Sequence, residues 1–101
     1  MVYFDVLVVG GGAAGMAAAL AAAEQGCGVL LAEAEEDLGG VLRQCFHRGF
    51  GGGMTGPAYA RELTDRVERS GVRVWTGTSV LRLASDRTAL LSSRRGLWSK
   101  L

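Results

Sequence analysis

The stretch DVLVVGGGAAGMAAALAAAEQG, residues 5–26, decides the fold. Its opening is apolar and valine-rich on both faces, which predicts a buried parallel strand over Phe4 to Val9. Gly10 to Gly12 interrupts that strand. Ala13 to Gln25 is mostly Ala and Leu, strong helix formers. Gly26 stands where the residue just past a helix end turns left-handed. Val29 to Ala32 is a second short apolar run. Strand, glycine turn, helix and strand within about thirty residues make a βαβ unit. The expected class is therefore α/β, with a Rossmann-like parallel sheet.

The glycines carry chemistry as well as shape. Gly10, Gly12 and Gly15 have the spacing G-x-G-x-x-G between a strand and a helix. Gly10 suits the tight turn, Gly12 lets backbone approach a pyrophosphate, and Gly15 permits close helix–strand packing. Ala13 and Ala14 open the helix, whose free N–H groups and partial positive charge favour phosphate oxygens. Ala17, Ala18, Ala21 and Ala22 are expected to keep that helix thin against the sheet. Glu33 follows the second strand about twenty residues past the loop, where an acid accepts hydrogen bonds from an adenosine ribose and repels a 2′-phosphate. A plain tight turn and a surface acid ending a strand are the structural alternatives. NAD and FAD share this physics, so the loop leaves the choice between them open.

Outward from this unit, residues 34–56 form a long glycine-rich connection, expected to serve the cofactor because loops of this length in compact domains are usually functional or disordered. TGPAYARELTDRVERSG predicts a second helix. Thr55 or Gly56 caps it, Pro57 lies in its first turn, Gly71 lies just past its end, and Tyr59, Leu63 and Val67 mark its inner face. Val72 to Trp75 reads as a third strand. Ser79–Ala84, Thr88–Ser92 and Leu97–Leu101 read as strands of an antiparallel meander over residues 77–101, separated by SD and RRG turns. Trp75 and Trp98 read as core or strand-face residues. The 101 residues make one domain.

Composition narrows the function classes. The formal charge is +1, and no basic stripe suggests nucleic-acid binding. Charges alternate in sign from Arg61 to Arg69, as on a solvated helix face. The uncharged run 6–23 approaches the ~18 residues of a membrane span, but its glycines and the absence of a basic flank favour two buried elements instead. Cys27 and Cys45, with no secretion signal, fit a reducing, cytoplasmic setting better than a disulfide framework. With one His and two distant Cys, no metal site is expected.

Through residue 40 the chain resembles the N-terminal FAD-binding segment of the FAD-dependent pyridine nucleotide oxidoreductases, relatives of the flavin disulfide reductases. The resemblance rests on the glycine loop near the N-terminus, the acid ending the second strand and the pair Gly39-Gly40, which in that family approaches the flavin side of the cofactor. GGVLRQCFHRGF followed by TGPAYARELTDRV is similar to a bacterial subgroup of these flavoproteins. GTSVLRL resembles the segment whose backbone, at Val80, contacts the adenine. The resemblance implies FAD as cofactor and NAD(P)H or a small organic substrate as electron donor. It also implies a returning strand, an NAD(P)-binding domain and a C-terminal FAD segment beyond these residues, so the fold is expected to be incomplete. The alternatives are a non-catalytic nucleotide-binding subunit that needs a partner chain, and an NAD-binding dehydrogenase fragment.

Two residues near the expected flavin side are chemically interesting. Cys45 is a candidate reactive thiolate if His47, Arg43 or Arg48 lowers its pKa. The alternative is a small residue lining the loop. No dithiol pair can be written from this chain. His47 is a candidate proton donor to reduced flavin or substrate, or a polar loop residue.

Overall fold

A computed structural model describes residues 2–93 and 96–100, the last five as a strand only. In chain order the elements are β1 (Val6–Val9), α1 (Ala13–Glu24), β2 (Val29–Ala32), a 3₁₀ turn (Gly40–Gln44), β3 (Arg48–Phe50), β4 (Met54–Thr55), α2 (Gly56–Arg69), β5 (Arg73–Trp75), β6 (Thr78–Leu83), β7 (Ala89–Ser93) and β8 (Gly96–Lys100). Strands β1, β2 and β5 form a parallel sheet in the order β1-β2-β5. Strands β6, β7 and β8 form an antiparallel meander. This is the expected α/β class, a Rossmann-like parallel sheet with an appended meander. The expected end of the meander at Leu101 and the turn residues Arg94 and Arg95 lie outside the described residues, as does the side chain of Trp98.

Every residue of β2 is buried, and successive residues face opposite layers. Val29 and Leu31 pack with Met16, Ala19, Leu63 and Val67 of the helices. Leu30 and Ala32 pack with Ala89 and Leu91 of the meander, with Phe4, Leu7, Trp75 and Val80 at its margin. The molecule is thus three layers: helices, parallel sheet, meander. Trp75 meets Phe4 edge-on, with ring centroids 6.4 Å apart.

Several sequence expectations are corrected here. The strand buried on both faces is β2, not the run Phe4–Val9. β1 begins at Val6, is only half-buried, and leaves Val9 57 % exposed, because it is an outer strand of the described sheet. The alanines of α1 do not all face the sheet. Ala17, Ala18 and Ala21 are exposed, while Met16 and Ala19 make the buried contacts and Ala22 packs beside them. On α2 the inner face is Gly56, Ala60, Leu63 and Val67. Tyr59, as expected, packs against the same core, half-buried at its margin and stacked on Phe50, centroids 6.3 Å apart. The connection 34–56 is not irregular throughout. It holds the 3₁₀ turn and the two-stranded ribbon β3–β4.

Both helix ends fall where glycine punctuates them, Gly26 and Gly71 each at φ +85°. Their starts differ. Thr55 caps α2, its Oγ1 accepting from the Ala58 N–H at 3.4 Å, as Ser/Thr caps do. Gly12 stands before α1 with no side-chain cap, and no acid lies in the first turn.

At the β6–β7 tip, Asp86 Oδ1 accepts from the Thr88 hydroxyl at 2.6 Å and its backbone N–H at 3.1 Å. The Thr88 hydroxyl, then its N–H, favours the ionised carboxylate and holds the Asp86 pKa below its ordinary value. A lowered folded pKa means that the associated stability is present above the unfolded carboxyl's pKa and is lost as pH falls through the folded one. Thr88→Ala removes the hydroxyl and keeps the N–H, so it should raise the Asp86 titration, followed by carboxyl NMR, part of the way toward the ordinary range. A titration that does not move would refute the hydrogen-bond origin of the shift.

Candidate functional site

The site is built at the carboxyl ends of β1 and β2, where ligands of open α/β sheets bind. The parallel ladder runs one step past β1, with Gly10 N–H donating to Ala32 O at 2.8 Å. Gly10 then takes φ +100°, a conformation that L side chains rarely adopt. This turn sends the chain into α1. The helix crosses so close to it that a Cβ on Gly15 would overlap the carbonyl oxygen of Gly10. Gly12, by contrast, looks onto open space, with no heavy atom within 4 Å of the place a Cβ would take.

The first N–H to find a helical acceptor is that of Met16, donating to Gly12 O at 3.0 Å. By helix geometry the N–H groups of Ala13, Ala14 and Gly15 have no intrahelical partner. The mouth of α1 is therefore an uncapped set of donors beside an open glycine, with the positive end of the helix dipole behind it. This chemistry fits a pyrophosphate, and the open position at Gly12 leaves room for one.

Glu33 follows β2 directly and is half-buried. Its Oε1 accepts from Gly11 N–H at 2.6 Å and its Oε2 from Glu35 N–H at 2.8 Å. The two bonds aim the carboxylate along the edge of the glycine loop. Each oxygen keeps a lone pair for further donors. The Glu33 carbonyl accepts from Thr78 N–H at 2.8 Å, which brings the start of β6, and Val80 two residues on, to the same side. Val80 is half-buried against the meander-side core.

Gly39 and Gly40 return the chain to the glycine loop. Gly39 N–H donates to Gly11 O at 2.8 Å, and a Cβ on Gly40 would sit 3.4 Å from Gly12 Cα. The fold thus gathers Gly10, Gly12, Ala13, Ala14, Gly15, Glu33, Gly39 and Gly40 in one place. Cys45 and His47 lie further along. Cys45 is half-buried after the 3₁₀ turn, its carbonyl accepting from Gly56 N–H at 2.7 Å. His47 is exposed against the ring of Phe50, centroids 5.2 Å apart.

Of the groups expected beside the Cys45 thiol, the two arginines make other contacts. Arg43 Nη2 binds Glu35 Oε2 at 2.6 Å, with Asp37 3.9 Å from Nη1. Arg48 donates to Gly53 O at 3.4 Å. Cys27 sits in the turn after α1, and both thiols are free. Among the described residues no group of three or more His, Cys, Asp or Glu could hold a metal ion.

Three participants escape a reading of motifs. Gly11, an "x" of the fingerprint, supplies the amide that holds Glu33, and a Cβ there would run into Leu38 Cδ2. Glu35 and Arg43 form an ion pair on exposed side chains, a type worth about 0.2–1 kcal/mol. Arg43 Nε is buried without a hydrogen-bond partner among the described residues. The one available sequence signal was an acid two residues after Glu33 with a basic residue in the following turn.

Comparison with known proteins decides what the glycine loop leaves open. A family model described as FAD dependent oxidoreductase matches residues 5–90. A curated relative, 4-oxocyclohex-2-ene-1-carboxylate 5-dehydrogenase of Sinomonas cyclohexanicum, is 69 % identical over 37 residues, which cover 37 % of this chain and 6 % of that protein. Among solved structures, L-proline dehydrogenase from P. horikoshii superposes with TM-score 0.88 at 25 % identity, over 99 % of this chain and 21 % of that one. Thioredoxin reductase from Streptococcus pyogenes gives TM-score 0.79 at 24 % identity, over 97 % and 33 %. The chain thus spans a small part of the length of each of these proteins. The cofactor is FAD, which removes the NAD-binding dehydrogenase fragment as a reading.

The second and third glycines of the fingerprint should separate in their effects. Gly15→Ala forces a methyl into the Gly10 carbonyl and should cost about 1–3 kcal/mol, the range of overpacking. Gly12→Ala meets nothing and should cost only the smaller N-cap difference between Gly and Ala, about 1 kcal/mol or less. Equal melting temperatures for the two variants would contradict the packing described here.

Proposed function

The chain belongs to the FAD dependent oxidoreductase family, and from that premise we propose the roles of its residues in holding FAD and serving an oxidoreductase. The uncapped N–H groups of Ala13, Ala14 and Gly15 take the pyrophosphate, with Gly10 shaping the turn and Gly12 leaving the approach clear. Glu33 accepts from the adenosine ribose hydroxyls, the Val80 backbone lies against the adenine, and Gly39-Gly40 leads toward the flavin side. The observation that carries this reading is the uncapped start of α1 beside the aimed carboxylate of Glu33.

When bound, FAD supplies the redox chemistry, and the protein binds, orients and tunes it. The donor we propose is NAD(P)H or a small organic substrate. The chain covers 21 % and 33 % of the two matched structures, and we assign none of its residues to the donor's site. Of the two candidates past the glycine pair, exposed His47 is better placed than half-buried Cys45 to exchange a proton with substrate or solvent, at an imidazole nitrogen. Arg43 and Arg48 bind Glu35 and the Gly53 carbonyl, which leaves His47 as the other group proposed to act on the Cys45 thiol. The two free thiols accord with a cytoplasmic location. Among the described residues no helix is long and apolar enough to cross a membrane.

A second reading keeps the site and moves the activity to an assembly. No described strand pairs with the outer edge of β1, the strand that carries the glycine loop. Parallel sheets are ordinarily buried and their open edges recruit strands. In this reading a partner chain supplies the missing strand and the chemistry, and the chain itself is a nucleotide-binding subunit.

Desalted after exposure to FAD, the chain should retain a visible flavin spectrum. Gly12→Val should abolish that retention without unfolding the protein, since the side chain fills the phosphate approach. Glu33→Gln should weaken FAD and ADP alike by about tenfold, the loss of one charge-assisted hydrogen bond. Unchanged FAD affinity in Gly12→Val would sink the phosphate assignment. NAD(P)H-dependent bleaching by the chain alone would favour the enzyme over the subunit.

A further inference from the structure

Glu35 joins the two ends of the candidate site. Its backbone N–H donates to Glu33 Oε2 at 2.8 Å, its carbonyl accepts from Gly77 N–H at 2.8 Å, and its carboxylate binds Arg43 Nη2 at 2.6 Å. Arg43 lies in the 3₁₀ turn that begins at Gly40. Its Cγ lies 3.1 Å from the place a Cβ on Gly39 would take, so its stem runs directly against Gly39. Gly39 N–H in turn donates to Gly11 O, and Gly11 N–H donates to Glu33. The contacts close a ring: Gly11, Glu33, Glu35, Arg43, Gly39 and back to Gly11.

That ring is poorly explained as a device for stability. The ion pair is solvent-exposed on both sides, at 36 % and 59 %, where such pairs contribute little. Holding Arg43 there also leaves its Nε buried without an acceptor among the described residues. What the pair does fix is geometry. Residues 34–37 are all exposed, so little packing holds the Glu35 N–H that orients the Glu33 carboxylate, and the Arg43 pair acts beside the Gly77 N–H bond to the Glu35 carbonyl.

We propose that Arg43 is a positioning residue for the ribose-binding acid. Through Glu35 it holds the loop whose N–H aims Glu33, and so ties the adenosine end of the cofactor site to the turn on the flavin side. This rests on the reading of Glu33 given above.

The test uses the whole chain with ADP and FAD as probes, in equilibrium binding measurements. Arg43→Met removes the ion pair and keeps most of the stem. Glu35→Gln removes the charge and keeps the backbone N–H. Positioning predicts that both variants weaken ADP and FAD by a similar factor, about two- to fivefold. It also predicts that neither has an effect in a Glu33→Gln background. Arg43→Lys should recover part of the loss. A simple field effect predicts the opposite sign for Glu35→Gln, because removing a negative charge should tighten an anionic ligand. ADP binding that is unchanged or tighter in Glu35→Gln, with wild-type binding intact, overturns the proposal. A wild-type chain that binds neither ADP nor FAD overturns the reading of the site, and this inference with it.

Discussion

The site depends on how closely α1 passes the turn that launches it. Gly10 reverses the chain at φ +100°, and Gly15 has no side chain to strike its carbonyl. With the helix set that close, Gly11 is held between Glu33 and Leu38, and its two backbone groups face different ways. Its N–H reaches Glu33 and its carbonyl receives Gly39. A bulkier residue at position 15 would push the helix away and disturb both contacts at once. The glycine loop is therefore the common support for the acid on one side and the Gly39-Gly40 turn on the other.

Much of this was legible because local chemistry and global fold agree. The alternation of β-branched runs, alanines and punctuating glycines defines a βαβ unit, and Glu33 falls where the second strand must end. The parts that were not legible depend on what lies across space. Whether Val9 or Leu31 is buried depends on which strand is central, and both runs are equally apolar. The alanines of α1 carry no periodic contrast that would tell a core face from an exposed one. Arg43 looks like a neighbour for Cys45 by sequence distance, yet the side chain turns back to Glu35 across the connection. The ribbon β3–β4 is hidden in a segment whose glycines at 49 and 51–53 obscure any strand pattern.

The placement of β2 explains why the acid is where it is. A strand packed on both faces cannot shift register without turning Leu31 from the helices toward the meander. Its end is fixed by the same packing, so Glu33 emerges at a defined height. β6 reinforces this through the Thr78 amide on the Glu33 carbonyl. The meander is thus more than an appendage. It covers the second face of the sheet and pins the residue that points into the site.

The unequal treatment of the two helix starts carries a further consequence. α2 is closed by Thr55, whereas α1 begins with bare amides. A polar N-cap is worth about 1 kcal/mol, so α1 forgoes a stabilisation that a Ser or Asp at position 12 could provide. Such a side chain would also occupy the open space at Gly12 and meet a phosphate with its own oxygen. Under the proposed reading of the site, the helix is left uncapped so that the pyrophosphate can act as its cap. Binding then contributes to folding by mass action, about 2.7 kcal/mol at a ligand concentration a hundred times the Kd. For a domain whose net stability is of order 5–15 kcal/mol, that is a large share, so a cofactor bound as proposed would be part of what holds this fold together.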